Sequence, residues 1–321
     1  MTRGRRRRIG EEQALIDRIF GTAAALALAF QPAAGWAQAA RAAPQPQAAA
    51  ARVAAHPALW VVKDDDTTIY LFGTVHVLKP SLSWFDGAVK KAFERSDTLV
   101  LEMVEPDAAT MQQSVASRGL DLGGTPLSQK LPEAKRSAYA ATLGALGIPP
   151  AGLDVFRPWM AAVTLSVAGL PKLGYDPNSG AEKVLAAAAK ASGKPVEGLE
   201  TFDQQLGYLA DMAEPLQIKY LVSVIDDYPK MGSELDKMVA RWAAGDPEGL
   251  AKVMNESLDE TPELAKVLLT DRNARWTDWI VHRLDQPGTV FVAVGAAHLA
   301  GQDSVVSMLA KRRYPAVRVA N

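Results

Sequence analysis

One pattern occurs twice in this chain and restricts its possible folds more than any other feature. The first copy is Thr68-Ile-Tyr-Leu-Phe-Gly73-Thr-Val-His76, and the second is Thr289-Val-Phe-Val-Ala-Val-Gly295-Ala-Ala-His298. Each is a run of β-branched and aromatic residues that reads as a buried strand, followed by Gly-x-x-His. Glycine permits a sharp turn or a close approach, and the histidine then stands just past the strand's carboxyl end. In open α/β sheets that edge is where ligands bind. The glycines (73 and 295) and the histidines (76 and 298) are both 222 positions apart, and the chain has only four histidines. The two strands are therefore read as two walls of one site.

The segments between them set the fold class. Leu59–Lys63 and Thr68–Phe72, joined through Asp64-Asp-Asp66, read as a β-hairpin. Ser83 is positioned to cap a helix running to Arg95, with Phe85, Val89 and Phe93 on one face. Asp97–Met103 is a strand that completes a right-handed β–α–β unit and ends in Glu102. From Pro106 to Pro171 the pattern is helical, with breaks at Gly123-Gly124, Gly147–Pro150 and Arg157-Pro158. Ser179-Gly-Ala-Glu182 reads as a capping box that opens an alanine-rich helix, with Glu182 as its reciprocal partner. Lys194–Glu200 is a strand ending in a second glutamate, and Thr201-Phe-Asp-Gln204 is another capping box. Helices follow from 214 to 284, with starts at Pro215, Ser233, Pro247 and Pro262 and a last one over Thr270–Leu284. The chain then returns to strand at Thr289–Val294, to a helix over Asp303–Lys311, and to a strand near Ala316–Val319. The expected class is α/β: a mixed central β-sheet flanked by helices, with large helical insertions between the two Gly-x-x-His elements.

The first residues have a different character. Arg3 and Arg5–Arg8 form a basic region, Ile19–Phe30 an apolar run, and Ala37-Gln-Ala39 a small-x-small cleavage site. The apolar run is too short to span a bilayer, so residues 1–39 read as an export signal leading to the periplasm or the exterior. Residues 40–55, rich in Ala, Pro and Gln, read as a flexible tether, and 56–321 as one domain. Removing residues 1–39 takes six arginines and three acids from 35 basic and 36 acidic residues, leaving 29 and 33. That balance argues against nucleic acid as a partner. The chain has no cysteine, which excludes disulfides, thiolate catalysis and cysteine zinc sites. No second apolar stretch is long enough for a transmembrane helix.

Four expected strand ends thus deliver His76, Glu102, Glu200 and His298. The two carboxylates stand in apolar segments, and a buried carboxylate needs a partner. A divalent metal would be one, and imidazole with carboxylate suits zinc, manganese or cobalt. Such a set leaves an open position for a water that the metal acidifies. The alternatives are structural: Glu102 as an ion pair with Arg272 or Arg275, and Glu200 as a cap of the next helix. Arg272 and Asn273 either stabilise an oxyanion or cap a helix start. His56 and His282 read as surface residues, and Tyr175-Asp-Pro-Asn178 as a turn.

Taken together, the motifs resemble the TraB/GumN family, which includes the Tiki-type metalloproteases. The matching segments are Leu-Phe-Gly-Thr-Val-His76 with Leu-Val-Leu-Glu102, then Arg157-Pro-Trp159, and Tyr175-Asp-Pro with Gly180. Gly-Lys-Pro-Val with Gly-Leu-Glu200-Thr and Gln204 follows, then Arg272-Asn273 with Trp276, and Phe-Val-Ala-Val-Gly-Ala-Ala-His298-Leu-Ala-Gly301. The resemblance implies a fold related to the erythromycin-esterase and ChaN groups, and for the Tiki branch metal-dependent peptide hydrolysis. One departure is Gly180-Ala-Glu182, where such bacterial sequences usually read Gly-x-Asp.

The expected function is an exported metal-dependent hydrolase, most simply a peptidase acting on a peptide or protein substrate. His76 and His298 would hold the metal with one or both of Glu102 and Glu200. The remaining glutamate would be general base, and Arg272 or Asn273 the oxyanion donor. A metal-independent esterase using His and Glu, and a non-catalytic peptide- or haem-binding protein, are the alternatives.

Overall fold

The computed structural model describes residues 52–255 and 262–320, so residues 1–39 and most of the tether lie outside the described residues. The described residues form eight strands: β1 (Val53–Ala54), β2 (Leu59–Lys63), β3 (Thr67–Thr74), β4 (Leu82–Ser83), β5 (Thr98–Met103), β6 (Val196–Glu200), β7 (Gly288–Gly295) and β8 (Val317–Arg318). Six of them make one sheet in the order β6-β5-β7-β3-β2-β8. β6, β5, β7 and β3 run parallel to one another, β2 pairs antiparallel with β3, and β8 pairs antiparallel with β2. The sheet is therefore mixed, as its sequence pattern implies, and its four parallel strands end along one edge.

The central strands lack the polar alternation of a one-sided sheet because both faces are covered. Along β7, Val290, Val292 and Val294 enter a core with Trp276 and Ile280, while Phe291 and Ala293 enter another with Trp84, Phe93 and Trp242. β3 splits the same way, with Ile69 and Leu71 on the first face and Phe72 on the second. Burying each such side chain contributes about 1.5–3 kcal/mol.

Helices fill the intervals. α1 (Gly87–Arg95) lies between β3 and β5, the strands of the first crossover. Between β5 and β6 come α2 (Ala108–Gly119), α3 (Leu127–Lys130), α4 (Glu133–Leu146), α5 (Pro158–Ala168) and α6 (Ala181–Ser192). Between β6 and β7 come α7 (Phe202–Ala210), α8 (Glu214–Asp227), α9 (Met231–Ala243), α10 (Pro247–Asn255), α11 (Pro262–Ala265), a π-helical turn (Lys266–Thr270) and α12 (Asp271–Leu284). α13 (Val305–Lys311) precedes β8. Helices of both insertions share a third core, in which Trp159 and Tyr220 are buried with Leu206 and Leu221. The Arg157-Pro-Trp159 segment serves this core: Arg157 and Trp159 both donate to the Arg118 carbonyl at 3.2 Å.

Three local expectations change. The domain reaches back beyond His56, because β1 pairs in parallel with β4 and Ala55 is buried. Ser83 sits in β4, so α1 starts later, with Asp86 as its N-cap. The box at Ser179 is not formed: α6 has Gly180 at its N-cap without a side-chain cap bond. The box at Thr201 and Gln204 is present with both of its reciprocal bonds. His56 and His282 are exposed, and Pro177–Ser179 forms a short 3-10 turn capped by Asp176.

Candidate functional site

The order of the parallel strands dictates what meets at their carboxyl ends. β6 delivers Glu200, β5 delivers Glu102, β7 runs to Gly295 and on to His298, and β3 runs to Thr74 and on to His76. These are four adjacent strands, so the four side chains singled out in the sequence line one edge of the sheet. All four are buried.

Arg272, on the first turn of α12, holds the two glutamates together and is 0 % exposed. Its Nη2 donates to Glu102 Oε2 at 2.6 Å and to Glu200 Oε2 at 2.8 Å, and its Nε donates to Glu200 Oε1 at 3.0 Å. Its Nη1 donates to the Leu268 carbonyl, within the π-helical turn, at 3.2 Å. Trp276, one turn further along α12, stacks against the guanidinium with 4.6 Å to the ring centroid. Gln205 and Tyr208, three apart on α7, complete the cluster. Gln205 donates to both carboxylates at 3.2 Å, and the Tyr208 hydroxyl donates to Glu200 Oε1 at 3.0 Å.

Glu102 also accepts the Gly295 N–H through Oε1 at 2.6 Å. Burial would raise its carboxyl, but the Arg272 guanidinium, with His298, His76 and the Gly295 N–H, outweighs that and holds it down at about 2. Burial likewise opposes the charge on Arg272, and its two carboxylates reverse the effect and raise its pKa.

Each histidine is held through Nδ1 by a different kind of acceptor. His298 Nδ1 is 2.6 Å from Asn273 Oδ1, and Asn273 is anchored in turn by donating from Nδ2 to the Asp303 carbonyl at 2.8 Å. An amide oxygen only accepts, so His298 carries its proton on Nδ1 and has a lone pair on Nε2. Burial, then the Arg272 charge, push its pKa down to about 3, so the ring is neutral at pH 7. Trp276 covers it at 4.4 Å between ring centroids.

His76 Nδ1 is 2.8 Å from Glu182 Oε1. The longer carboxylate that departs from the usual Gly-x-Asp thus contacts the site histidine, instead of capping its own helix. Gly180 makes this possible. A Cβ there would sit 2.3 Å from the His76 carbonyl oxygen, so only glycine lets α6 begin against the histidine's backbone. The Ala181 N–H completes the junction by donating to the Val75 carbonyl at 3.0 Å.

The two imidazoles and Glu102 converge on Gly295. A Cβ on Gly295 would lie 3.1 Å from Glu102 Oε1, 3.4 Å from His298 Cδ2 and 3.9 Å from His76 Nε2. His298 Nε2 is 3.7 Å from Glu102 Oε1 and 3.3 Å from Arg272 Nη1. The His298 ring edge, the His76 Nε2 and a Glu102 oxygen thus surround a side-chain-free residue, and among the described residues no group of three such side chains is spaced to hold a metal ion as it stands. The Nδ1 contacts to Glu182 and Asn273 fix the orientation of both rings.

Arg272 and Asn273 are engaged within the cluster, Arg272 on the glutamates and Asn273 on His298, and both are buried. The structural alternative for Glu102, an ion pair with Arg272, is present, and Glu200 shares it. Gln205, Tyr208 and the His76 contact of Glu182 were not singled out in the sequence. Their available signal was spacing: Gln205 and Tyr208 share one helical face directly after a strand-end glutamate.

A mixed sheet with a polar cluster buried at the carboxyl ends of its four parallel strands places the molecule among α/β proteins that carry their site at strand ends. The TraB/PrgY/gumN family profile matches residues 58–318, and the chain belongs to that family. It is 24% identical to the YbaP protein of Escherichia coli (strain K12) over 253 residues, covering 79% of this chain and 92% of that protein. It is 22% identical to a protein of Treponema pallidum (strain Nichols) over 268 residues, covering 79% and 80%. No solved structure matches the chain.

Proposed function

We propose that this chain is an exported metal-dependent hydrolase acting on peptide bonds. The observation that carries the reading is the paired imidazoles at Gly295, each held at Nδ1 by a fixed acceptor beside the Glu102 carboxylate. His76, His298 and Glu102 would hold the ion. When bound, it would acidify a water and polarise the scissile carbonyl.

The chain's own residues prepare that place. Arg272 and the Gly295 N–H keep Glu102 ionised, as its lowered pKa requires. Asn273 keeps the His298 proton on Nδ1, and Glu182 orients His76 in the same way. Glu200 is engaged by Arg272, Gln205 and Tyr208, so it fixes the guanidinium and does not serve as general base. The basic, apolar and small-residue sequence of 1–39 supports export. Among the described residues no helix is long and apolar enough to cross a membrane.

The test is cleavage of a peptide library by the purified chain, followed by mass spectrometry, with and without a chelator. The reading expects cleavage that chelation abolishes and that manganese, cobalt or zinc restores. No cleavage with any of these ions contradicts it. Cleavage of esters that survives chelation supports the second reading, a metal-independent esterase. That reading draws on the Arg272 Nη1 contact with His298 Nε2 at 3.3 Å, where the guanidinium takes the place of an ion.

A further inference from the structure

β6 is an edge strand of the main sheet, and it leads directly into the site through its last residue, Glu200. Its one neighbour is β5, in parallel, with Leu101 opposite Gly198 and Met103 opposite Glu200. The Leu99 N–H donates to the Pro195 carbonyl at 2.9 Å. In a parallel ladder alternate residues bond the same neighbour. Glu197 and Leu199 therefore face β5, while the N–H and C=O of Val196 and Gly198 face away from the sheet. Gly198 is exposed, and with no side chain its exposed surface is backbone. A Cβ there would lie 2.9 Å from the Glu200 carbonyl oxygen and 3.1 Å from the Val104 nitrogen, so the bare backbone is a steric requirement of this position.

An open edge of this kind is a template for another strand, and proteins normally cover it or charge it. Here it borders a cleft of about 430 Å³ that also reaches Glu200. Val104, Pro106 and Phe202 give the cleft an apolar wall, and Val104 is 49% exposed. Asp203 lines it, and Glu197 stands exposed on the strand beside it. Among the described residues neither acid has an ion pair, and no lysine or arginine lines the cleft.

We propose that β6 is the substrate-docking edge: an extended peptide adds to it as a seventh strand, with an apolar side chain in the cleft and a basic one facing Glu197 and Asp203. Main-chain hydrogen bonds to Val196 and Gly198 would supply sequence-independent affinity, and the cleft and its acids the preference. The added strand runs toward Glu200, the residue by which β6 enters the metal-site cluster. This inference rests on the hydrolase reading for its purpose, but its test does not depend on hydrolysis.

The probe is a fluorescein-labelled, end-blocked octapeptide of alternating leucine and lysine, with a leucine–glutamate octapeptide as its counterpart. Binding to the full chain is measured by anisotropy with chelator present, so that no metal-dependent cleavage intervenes. The proposal expects the lysine peptide to bind at least 10-fold tighter than the glutamate peptide, and amide exchange at Val196 and Gly198 to slow when it binds. Val196→Pro removes an outward N–H, which an edge tolerates, together with some of Val196's packing on the core, and should weaken binding about 10-fold with the chain still folded. Glu197→Lys with Asp203→Lys should reverse the preference between the two peptides. Equal binding of both peptides, or exchange protection elsewhere with β6 unaffected, overturns the proposal. Should Val196→Pro unfold the chain, the exchange experiment on the unaltered protein still decides it. A chain that docks the peptide at β6 yet never cleaves one would retain this inference and lose the hydrolase reading.

Discussion

The two Gly-x-x-His elements are alike in sequence and differ in what holds them. His298 lies deep against Trp276, with a neutral amide at Nδ1 and a guanidinium near Nε2. His76 is held by a carboxylate at the start of α6, an element the first insertion contributes. One half of the site is therefore built into α12 and the sheet, and the other is completed by an inserted helix. The repeated strand ends bring the histidines together, and the unlike partners set their charge environments. Changes on the α12 side should therefore threaten the fold, and changes on the α6 side should chiefly affect the site.

The largest effect expected from this contrast is at Arg272. Arg272→Met leaves Glu102 buried without its cation and Glu200 with only Arg275 at 3.7 Å, and losing one partner of a buried pair costs about 3–5 kcal/mol. Urea unfolding should show that loss, and an unchanged midpoint would mean the glutamates have another counter-charge. Next is Gly180→Ala, whose Cβ would meet the His76 carbonyl oxygen at 2.3 Å. Displacing α6 there should cost about 1–3 kcal/mol and weaken metal binding, whereas Gly147→Ala, where a Cβ meets nothing, should lose only what its left-handed backbone costs.

The pH dependence separates the halves further. The folded value of His298, about 3, lies below its ordinary 6.5, so the unfolded chain takes up that proton first. Stability is therefore full above pH 6.5 and declines as pH falls toward 3. Glu102, held at about 2 against an ordinary 4.5, adds a second loss between those values. Asn273→Asp would give His298 a carboxylate partner like that of His76. It should raise the histidine's pKa toward its ordinary 6.5 and so shrink the first loss, as measured by thermal melts from pH 7 to 3. The smallest effect is expected from Glu182→Gln, which exchanges a charged hydrogen bond for a neutral one and should cost about 1 kcal/mol or less. Its clearest signature is weaker metal affinity with the fold intact, and Glu182→Asp should recover part of it.

Much of this arrangement was legible in the sequence. A buried strand ending in Gly-x-x-His or in glutamate places its last polar residue at the sheet edge, so His76, Glu102, Glu200 and His298 could be grouped without coordinates. Arg272 and Asn273 were legible as polar residues at a helix start beside Trp276, but their partners were not. Which groups a guanidinium reaches depends on how α12 crosses the strand ends, and nothing local encodes that. Glu182 shows the limit most sharply. Ser179-Gly-Ala-Glu182 has capping-box spacing, yet the tertiary contact with His76 competes for the same carboxylate and wins. Ser83 had a similar fate, drawn into pairing with β1 by a contact far from it in sequence.

The central claim, that the two unlike halves make one metal site, is tested most directly by calorimetric titration of manganese, cobalt and zinc into the chain and into its His76→Ala and His298→Ala variants. The account predicts one ion bound per chain and its loss in both variants, with both still folded by circular dichroism. Binding that survives in either variant, or no binding by the unaltered chain, would contradict it.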